Sequence, residues 1–293
     1  MKRISSAISQ TAEWTCAARA CSFCEKNPFF HSDDGIAPLL LPSFAKPLLY
    51  VPMVRALYRH FACAGLYPYV IARTKYIDAA FQRALVENFD QILIFGAGFD
   101  TRALRFKLNR TKVFELDAAV TQQAKRGQLA KRNLAIPPNL TFIAIDFDTE
   151  NLEDKLVSSS FQAGHQTLFV LEGLLMYLEP ASVDGTLRTI KRFAGAGSLV
   201  VFDYLYASVI RKEHLFYGEA EAMASVSKAG EPWQFGIERG EVAEFLAGYG
   251  FALRDERDAS ALEEMYFKDS NGRKVAKVNA AHALVTAERN EEP

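Results

Sequence analysis

Phe95-Gly96-Ala97-Gly98-Phe99-Asp100-Thr101-Arg102 is the stretch whose reading decides the fold. It follows the continuous apolar run Gln91–Phe95 and precedes a helical pattern, so it reads as the turn at the carboxyl end of a buried strand. Glycines at 96 and 98 permit positive φ and let the backbone come close to a ligand. A dinucleotide fingerprint would carry Gly or Ala at position 101. This chain has Thr101 there, which points away from a pyrophosphate ligand. Taken alone, a Gly-x-Gly serves turn geometry as readily as ligand binding.

Outward from this turn, short apolar runs alternate with amphipathic segments. Residues 111–116, 140–145, Thr167–Leu171 and 198–204 read as strands, with helices over 118–133, near 150–158 and over 181–194. Continuous apolar strands separated by helices mean a parallel sheet buried on both faces, its crossovers laying helices on each side. After 204 comes a polar insertion spotted with aromatics to about residue 237, then a helix over 239–248 and two more strands, 251–256 and 277–286. Between those strands lies Asp269-Ser270-Asn271-Gly272, and Asn-Gly is a strong hairpin signal. The expectation is an α/β protein with the doubly wound sheet of class I methyltransferases, parallel strands ending in an antiparallel hairpin. Residues 1–90 are helical in pattern, broken by Pro28, Pro38, Pro42, Pro47 and Pro52, and form one structural domain with the core over 91–293. A nucleotide-like ligand belongs at the carboxyl ends of the strands, where the strand order reverses.

Composition narrows the function. With 49% hydrophobic and 24% charged residues, the 293-residue chain is an ordinary globular protein. A formal net charge of −1 provides no electrostatic footprint for nucleic acid. No apolar run reaches the roughly 20 residues that span a bilayer. Met1-Lys2-Arg3 resembles a signal n-region, but Gln10, Glu13 and Arg19 interrupt any apolar core behind it, so a cytosolic protein is expected. Cys16, Cys21 and Cys24, with Cys63 further on, match the spacing of a plant-type iron–sulfur ligand set. The helical pattern over 5–26 denies them a loop-built cage, and reduced structural thiols, with no metal, are the expectation.

The chemistry-bearing candidates stand at strand ends. Asp117 ends the second strand, nineteen residues after Gly98, where a carboxylate can accept hydrogen bonds from both hydroxyls of an adenosine ribose. It is equally suited to cap the helix beginning at Ala118. Asp146, followed by Phe147, ends the third strand, a position suited to an adenine amine, although Asp148 and Thr149 show that capping acids and hydroxyls cluster there too. Glu172 follows the fourth strand in Leu171-Glu172-Gly173-Leu174-Leu175-Met176-Tyr177-Leu178; a carboxylate at the mouth of the sheet is costly unless paired or solvated. Arg73 reads as an isolated cation entering a helix and, on sequence alone, as a surface residue.

Together, residues 71–78, 95–105, 114–117, 145–147 and 171–178 resemble the leucine carboxyl methyltransferase family and its bacterial relatives, class I S-adenosylmethionine-dependent O-methyltransferases. The resemblance covers roughly 65–205. It implies that Arg73 binds the donor's methionine carboxylate, that Gly96 and Gly98 pass under its methionine part, that Asp117 holds the ribose, that Asp146 with Phe147 recognises adenine, and that Glu172 faces the donor's amino group. It also implies that the N-terminal helices and the insertion at 205–237 act as lids over a small or medium organic acceptor. The implied reaction is in-line displacement at the sulfonium methyl, with S-adenosylhomocysteine as product.

A carboxylate acceptor, ionised at neutral pH, needs no base and is slightly preferred; a hydroxyl acceptor would need one, for which Tyr204 and His214 are the weak candidates. Tyr206, Phe216, Tyr217, Met223, Trp233 and Phe235 suit an apolar acceptor body or simply pack the insertion, and Arg211 or Lys212 could receive an anionic end. Two other readings stand beside this one: a nicotinamide-dependent oxidoreductase, suggested by Gly96, Gly98 and Asp117, and a non-catalytic binding module on the same fold.

Overall fold

In the computed structural model, residues 9–147 and 149–290 are described, the side chains of His60 and Phe61 excepted. The N-terminal signal pattern at Met1–Arg3 and the cap candidate Asp148 lie outside the described residues. Five helices come first: α1 (Gln10–Phe23), α2 (Ala37–Leu40), α3 (Ala45–Leu49), α4 (Pro52–Phe61) and α5 (Leu66–Val86). There follow β1 (Gln91–Phe95), α6 (Arg102–Arg105), β2 (Lys112–Asp117), α7 (Ala119–Lys131), β3 (Leu140–Ala144), α8 (Leu152–Val157), β4 (Thr167–Leu171), α9 (Pro180–Phe193) and β5 (Leu199–Leu205). The chain closes with α10 (Ala207–Ile210), α11 (Glu219–Lys228), α12 (Val242–Gly248), β6 (Phe251–Arg257), α13 (Ala259–Tyr266) and β7 (His282–Arg289).

The seven strands form one sheet in the order β3-β2-β1-β4-β5-β7-β6. β1 to β5 are parallel; β7 runs antiparallel to β5 on one side and to β6 on the other. The chain winds outward from β1 to β3, returns to β4 on the far side of β1, and so creates the order reversal at which a crevice opens. Alternation along each strand divides the core between the two faces. Ile92 and Ile94 pack with Val113, Val170 and the apolar faces of α1 and α5, whereas Leu93 and Phe95 pack with Phe114, Phe169 and the α9 residues Val183 and Leu187. β1, β4 and β5 are buried at every position, as strands covered on both faces must be.

Local chemistry sets the boundaries. Asn151, not Thr149, caps α8, its side chain accepting from the Glu153 and Asp154 amides. Pro180 occupies the first turn of α9, where its missing N–H is no loss. The sequence expectation of a direct final hairpin is corrected. α13, capped by Asp258, intervenes between β6 and β7, and Asn271-Gly272 turns only a small loop closed by a Lys268–Lys274 bridge. Within α1, Cys16 and Cys21 are buried, and burial pushes their thiols up to about 11 and about 12 respectively. Among the described residues, no helix is long and apolar enough to cross a membrane.

Candidate active site

A cavity of about 520 Å³ opens at the carboxyl ends of the parallel strands, on the order reversal. Arg73, Gly96, Gly98, Asp117, Asp146, Phe147 and Glu172 all line it. Gly96 and Gly98 adopt φ of 58° and 51°, a region costly for side-chain-bearing residues, and a Cβ on Gly98 would come within 3.2 Å of the Ala12 methyl in α1. The loop is pinned by its own strand neighbour: the Gly98 amide donates to Asp117, whose other carboxylate oxygen accepts the Ala118 amide at 2.6 Å. Asp117 is thus no cap for α7, whose N-cap position is Ala118. Burial raises its carboxyl pKa, against the two amide hydrogen bonds that lower it.

Arg73 is the largest departure from the sequence expectation. It sits in the middle of α5, buried, with its side chain turned into the sheet mouth. Its Nε donates to Glu172 at 2.9 Å and one terminal nitrogen donates to Asp203 at 2.8 Å. Asp203 also accepts the Tyr69 hydroxyl at 2.8 Å and the Gly173 amide at 2.5 Å. Glu172 takes a second arginine, Arg102, at 2.6 Å, and Arg102 in turn pairs with Asp78 and Asp100. Burial alone would raise the Glu172 carboxyl; Arg102 and then Arg73 outweigh it and hold it at about 2. Buried charges of this kind persist when each is paired, and every charge of the network has a partner, although one terminal nitrogen of Arg102 makes no hydrogen bond among the described residues.

Asp146 and Phe147 close the cavity beyond β3, with the Asp146 amide donating to the Glu150 carboxylate at 2.8 Å and Phe147 facing Phe95 at 6.4 Å between ring centres. The opposite wall comes from two places far apart in sequence. α1 and its approach contribute Ser9, Thr11, Trp14 and Arg19; residues 226–234 contribute Val226, Glu231 and Trp233. Thr11 and Ser9 both donate to the Glu231 carboxylate, the latter at 3.3 Å, so these two segments meet across the opening. Arg19 is spent on Asp34 and the Phe99 carbonyl.

Several candidates fall elsewhere. Tyr204 is fully buried on β5, donates its hydroxyl to Glu256 at 2.7 Å, and does not line the cavity. His214, at a φ of 53°, has a side chain 58% exposed beside Glu219, away from the cavity. Arg211 pairs with Glu213 and Glu238 on the surface, and Lys212 is likewise exposed. Of the insertion aromatics, Trp233 alone reaches the cavity; Tyr206 and Phe216 stack on each other, Phe235 packs on Phe245, and Tyr217 carries Lys277 over its ring.

Conversely, Asp203, Tyr69 and His282 do not stand among the sequence candidates. A carboxylate inside the otherwise apolar Leu199-Val200-Val201-Phe202-Asp203-Tyr204-Leu205 is a legible signal for the first. Nothing local marks the other two.

The family model described as leucine carboxyl methyltransferase matches residues 12–191. YktD of Bacillus subtilis, provisionally described as an S-adenosyl-L-methionine-dependent methyltransferase, is 26% identical over 206 residues, spanning 70% of this chain and 67% of its own. A Mycolicibacterium paratuberculosis protein with the same provisional description is 30% identical over 187 residues, spanning 61% of this chain and 60% of that relative. Among solved structures, one from Thermobifida fusca, provisionally described as a methyltransferase, superposes with a TM-score of 0.56 over 94% of each chain at 17% identity, a likeness of fold.

Proposed function

Because the chain belongs to the leucine carboxyl methyltransferase family, a family of S-adenosylmethionine-dependent methyltransferases, we propose that it transfers the donor's methyl group to an oxygen of a small or medium organic acceptor. The observation that carries the reading is the convergence of Arg73, Gly96, Gly98, Asp117, Asp146, Phe147 and Glu172, drawn from α5 and from the ends of β1 to β4, on one cavity of about 520 Å³. That volume lies in the range that buries a nucleoside-sized ligand.

The polar set suits the donor. Each oxygen of Asp117 accepts a single amide, leaving lone pairs for two ribose hydroxyls. Asp146 and Phe147 supply a carboxylate and an aromatic face for adenine. Arg73 carries one terminal nitrogen beyond those given to Glu172 and Asp203, available to the methionine carboxylate. Glu172, ionised and held still by two arginines, faces the ammonium. When bound, S-adenosylmethionine supplies an electrophilic methyl on a positively charged sulfur. The residues' task is alignment and exclusion of water, the latter served by the Ser9, Thr11 and Glu231 contact across the opening.

The geometry gives no support to the slight preference for a carboxylate acceptor. Arg211 and Lys212 lie outside the cavity, and the wall beyond the donor residues carries Glu231. A neutral hydroxyl is favoured. Thiols buried in α1 suit the cytosol as the place of action. Incubation with methyl-labelled donor and a panel of phenols, alcohols, carboxylic acids and amines tests the proposal. The expected product is an alkali-stable ether, whereas label carried only onto amines contradicts O-methylation.

A further inference from the structure

The antiparallel strand β7 begins where the parallel strands end, its first residue His282 paired with Leu205 at the carboxyl end of β5. This brings an imidazole to the cavity wall, buried to 3% exposure. One ring face stacks on Tyr69 at 4.3 Å between centres, and Trp233 meets the ring nearly at right angles at 5.4 Å. The tautomer follows from the neighbours. Asn279 donates its side-chain amide to the Ala64 carbonyl at 3.2 Å, and its side-chain oxygen accepts the Ala281 amide at 3.1 Å. The amide orientation is thereby set, so the 3.0 Å contact between that oxygen and His282 Nδ1 requires the proton on Nδ1. Nε2 is then a lone-pair acceptor, and it has no hydrogen-bond partner among the described residues.

We infer that His282 Nε2 receives the hydroxyl hydrogen of the acceptor, and that the acceptor is a phenol or alcohol bound in the same cavity. The inference rests on the methyl-transfer reading above and names the acceptor class for that same site. A carboxylate would meet a lone pair at Nε2 and the Glu231 carboxylate in the same wall, whereas a hydroxyl finds a lone-pair acceptor there. As the acceptor oxygen bonds to the methyl carbon, its O–H bond breaks and the proton passes to Nε2, while the S–CH3 electron pair stays on sulfur. Because burial disfavours the imidazolium, the proton then leaves to water.

The test uses protein labelled with heavy nitrogen in histidine, read by nuclear magnetic resonance with and without S-adenosylhomocysteine, His282→Phe assigning the signal. The expected result is an Nδ1-protonated His282 whose Nε2 resonance moves on titration with phenol and stays still with benzoate. In His282→Phe, phenol methylation should fall about a hundredfold or more, with S-adenosylhomocysteine affinity within about threefold of wild type. A proton on Nε2, a resonance unmoved by phenol, or a response to benzoate instead overturns the inference. The tautomer and phenol response are also read in the free protein. Failure to bind S-adenosylhomocysteine therefore sinks the donor reading separately, while the role of His282 still stands or falls on the spectra of the free protein.

Discussion

Arg73 and Glu172, ninety-nine residues apart in the chain, meet in a 2.9 Å ion pair in the cavity wall, and each holds a further partner, Asp203 for the arginine and Arg102 for the glutamate. The pair joins the N-terminal helices to the end of β4, so the site and the packing of the α5 helix on the sheet share one set of charges.

Arg73→Met leaves Asp203 buried beside Glu172 without its cation. Breaking a buried pair costs about 3–5 kcal/mol, which for a chain of this size lowers the melting temperature by on the order of 10 °C. Arg73→Met combined with Asp203→Asn should lose less than the sum of the two single changes, since the stranded charge is gone. Thermal melts of the four proteins check this; additive losses would show that the two residues are not coupled.

Asp117→Ala removes the acceptor of two amides as well as the proposed ribose contact. Stability should fall by roughly 1–3 kcal/mol and S-adenosylhomocysteine should bind about ten- to a hundredfold more weakly. A lower melting temperature with unchanged affinity would retire the ribose role and leave Asp117 as a clamp on the glycine loop.

The sheet is legible in the sequence because strands buried on both faces write themselves as unbroken apolar runs. Gln91–Phe95 and Thr167–Leu171 match to the residue, and β2, β3 and β5 to within one. The last strand is expected too early, at 277–286 instead of His282–Arg289, because Asn271-Gly272 carries a turn signal that belongs to a loop after α13. The cavity lining is legible where the chain's own strand ends supply it, at Gly96, Asp117, Asp146 and Glu172. It is illegible where charge is compensated at long range: Arg73 looks solvent-facing until Asp203, 130 residues on, is brought against it. The weak base candidates Tyr204 and His214 lie outside the cavity, and the imidazole that lines it, His282, is set there by an antiparallel strand whose start the sequence does not mark.

His282 also controls a window of pH. Burial lowers its pKa from the ordinary value near 6.5 to about 3, with Asp203 opposing and Arg73 reinforcing, and Tyr69 stacked on the ring. A folded pKa below the unfolded one means the unfolded chain binds the extra proton, so stability is full above about pH 6.5 and is lost as pH falls toward 3, at up to about 1.4 kcal/mol per pH unit. Glu115, pushed up to about 7 by burial, pulls the other way and is common to both proteins, so the difference between wild type and His282→Phe is the quantity to read. The wild type should lose melting temperature more steeply than the variant between pH 6.5 and 4.5; parallel curves would contradict a neutral buried imidazole.

The most direct measurement of the central claim is calorimetric titration of the purified chain with S-adenosylhomocysteine and, separately, with NAD. The donor site at the ends of β1 to β4 predicts a saturable one-to-one isotherm for S-adenosylhomocysteine in the micromolar range, about −8 kcal/mol, and none for NAD. Binding of NAD with no heat from S-adenosylhomocysteine would contradict the account.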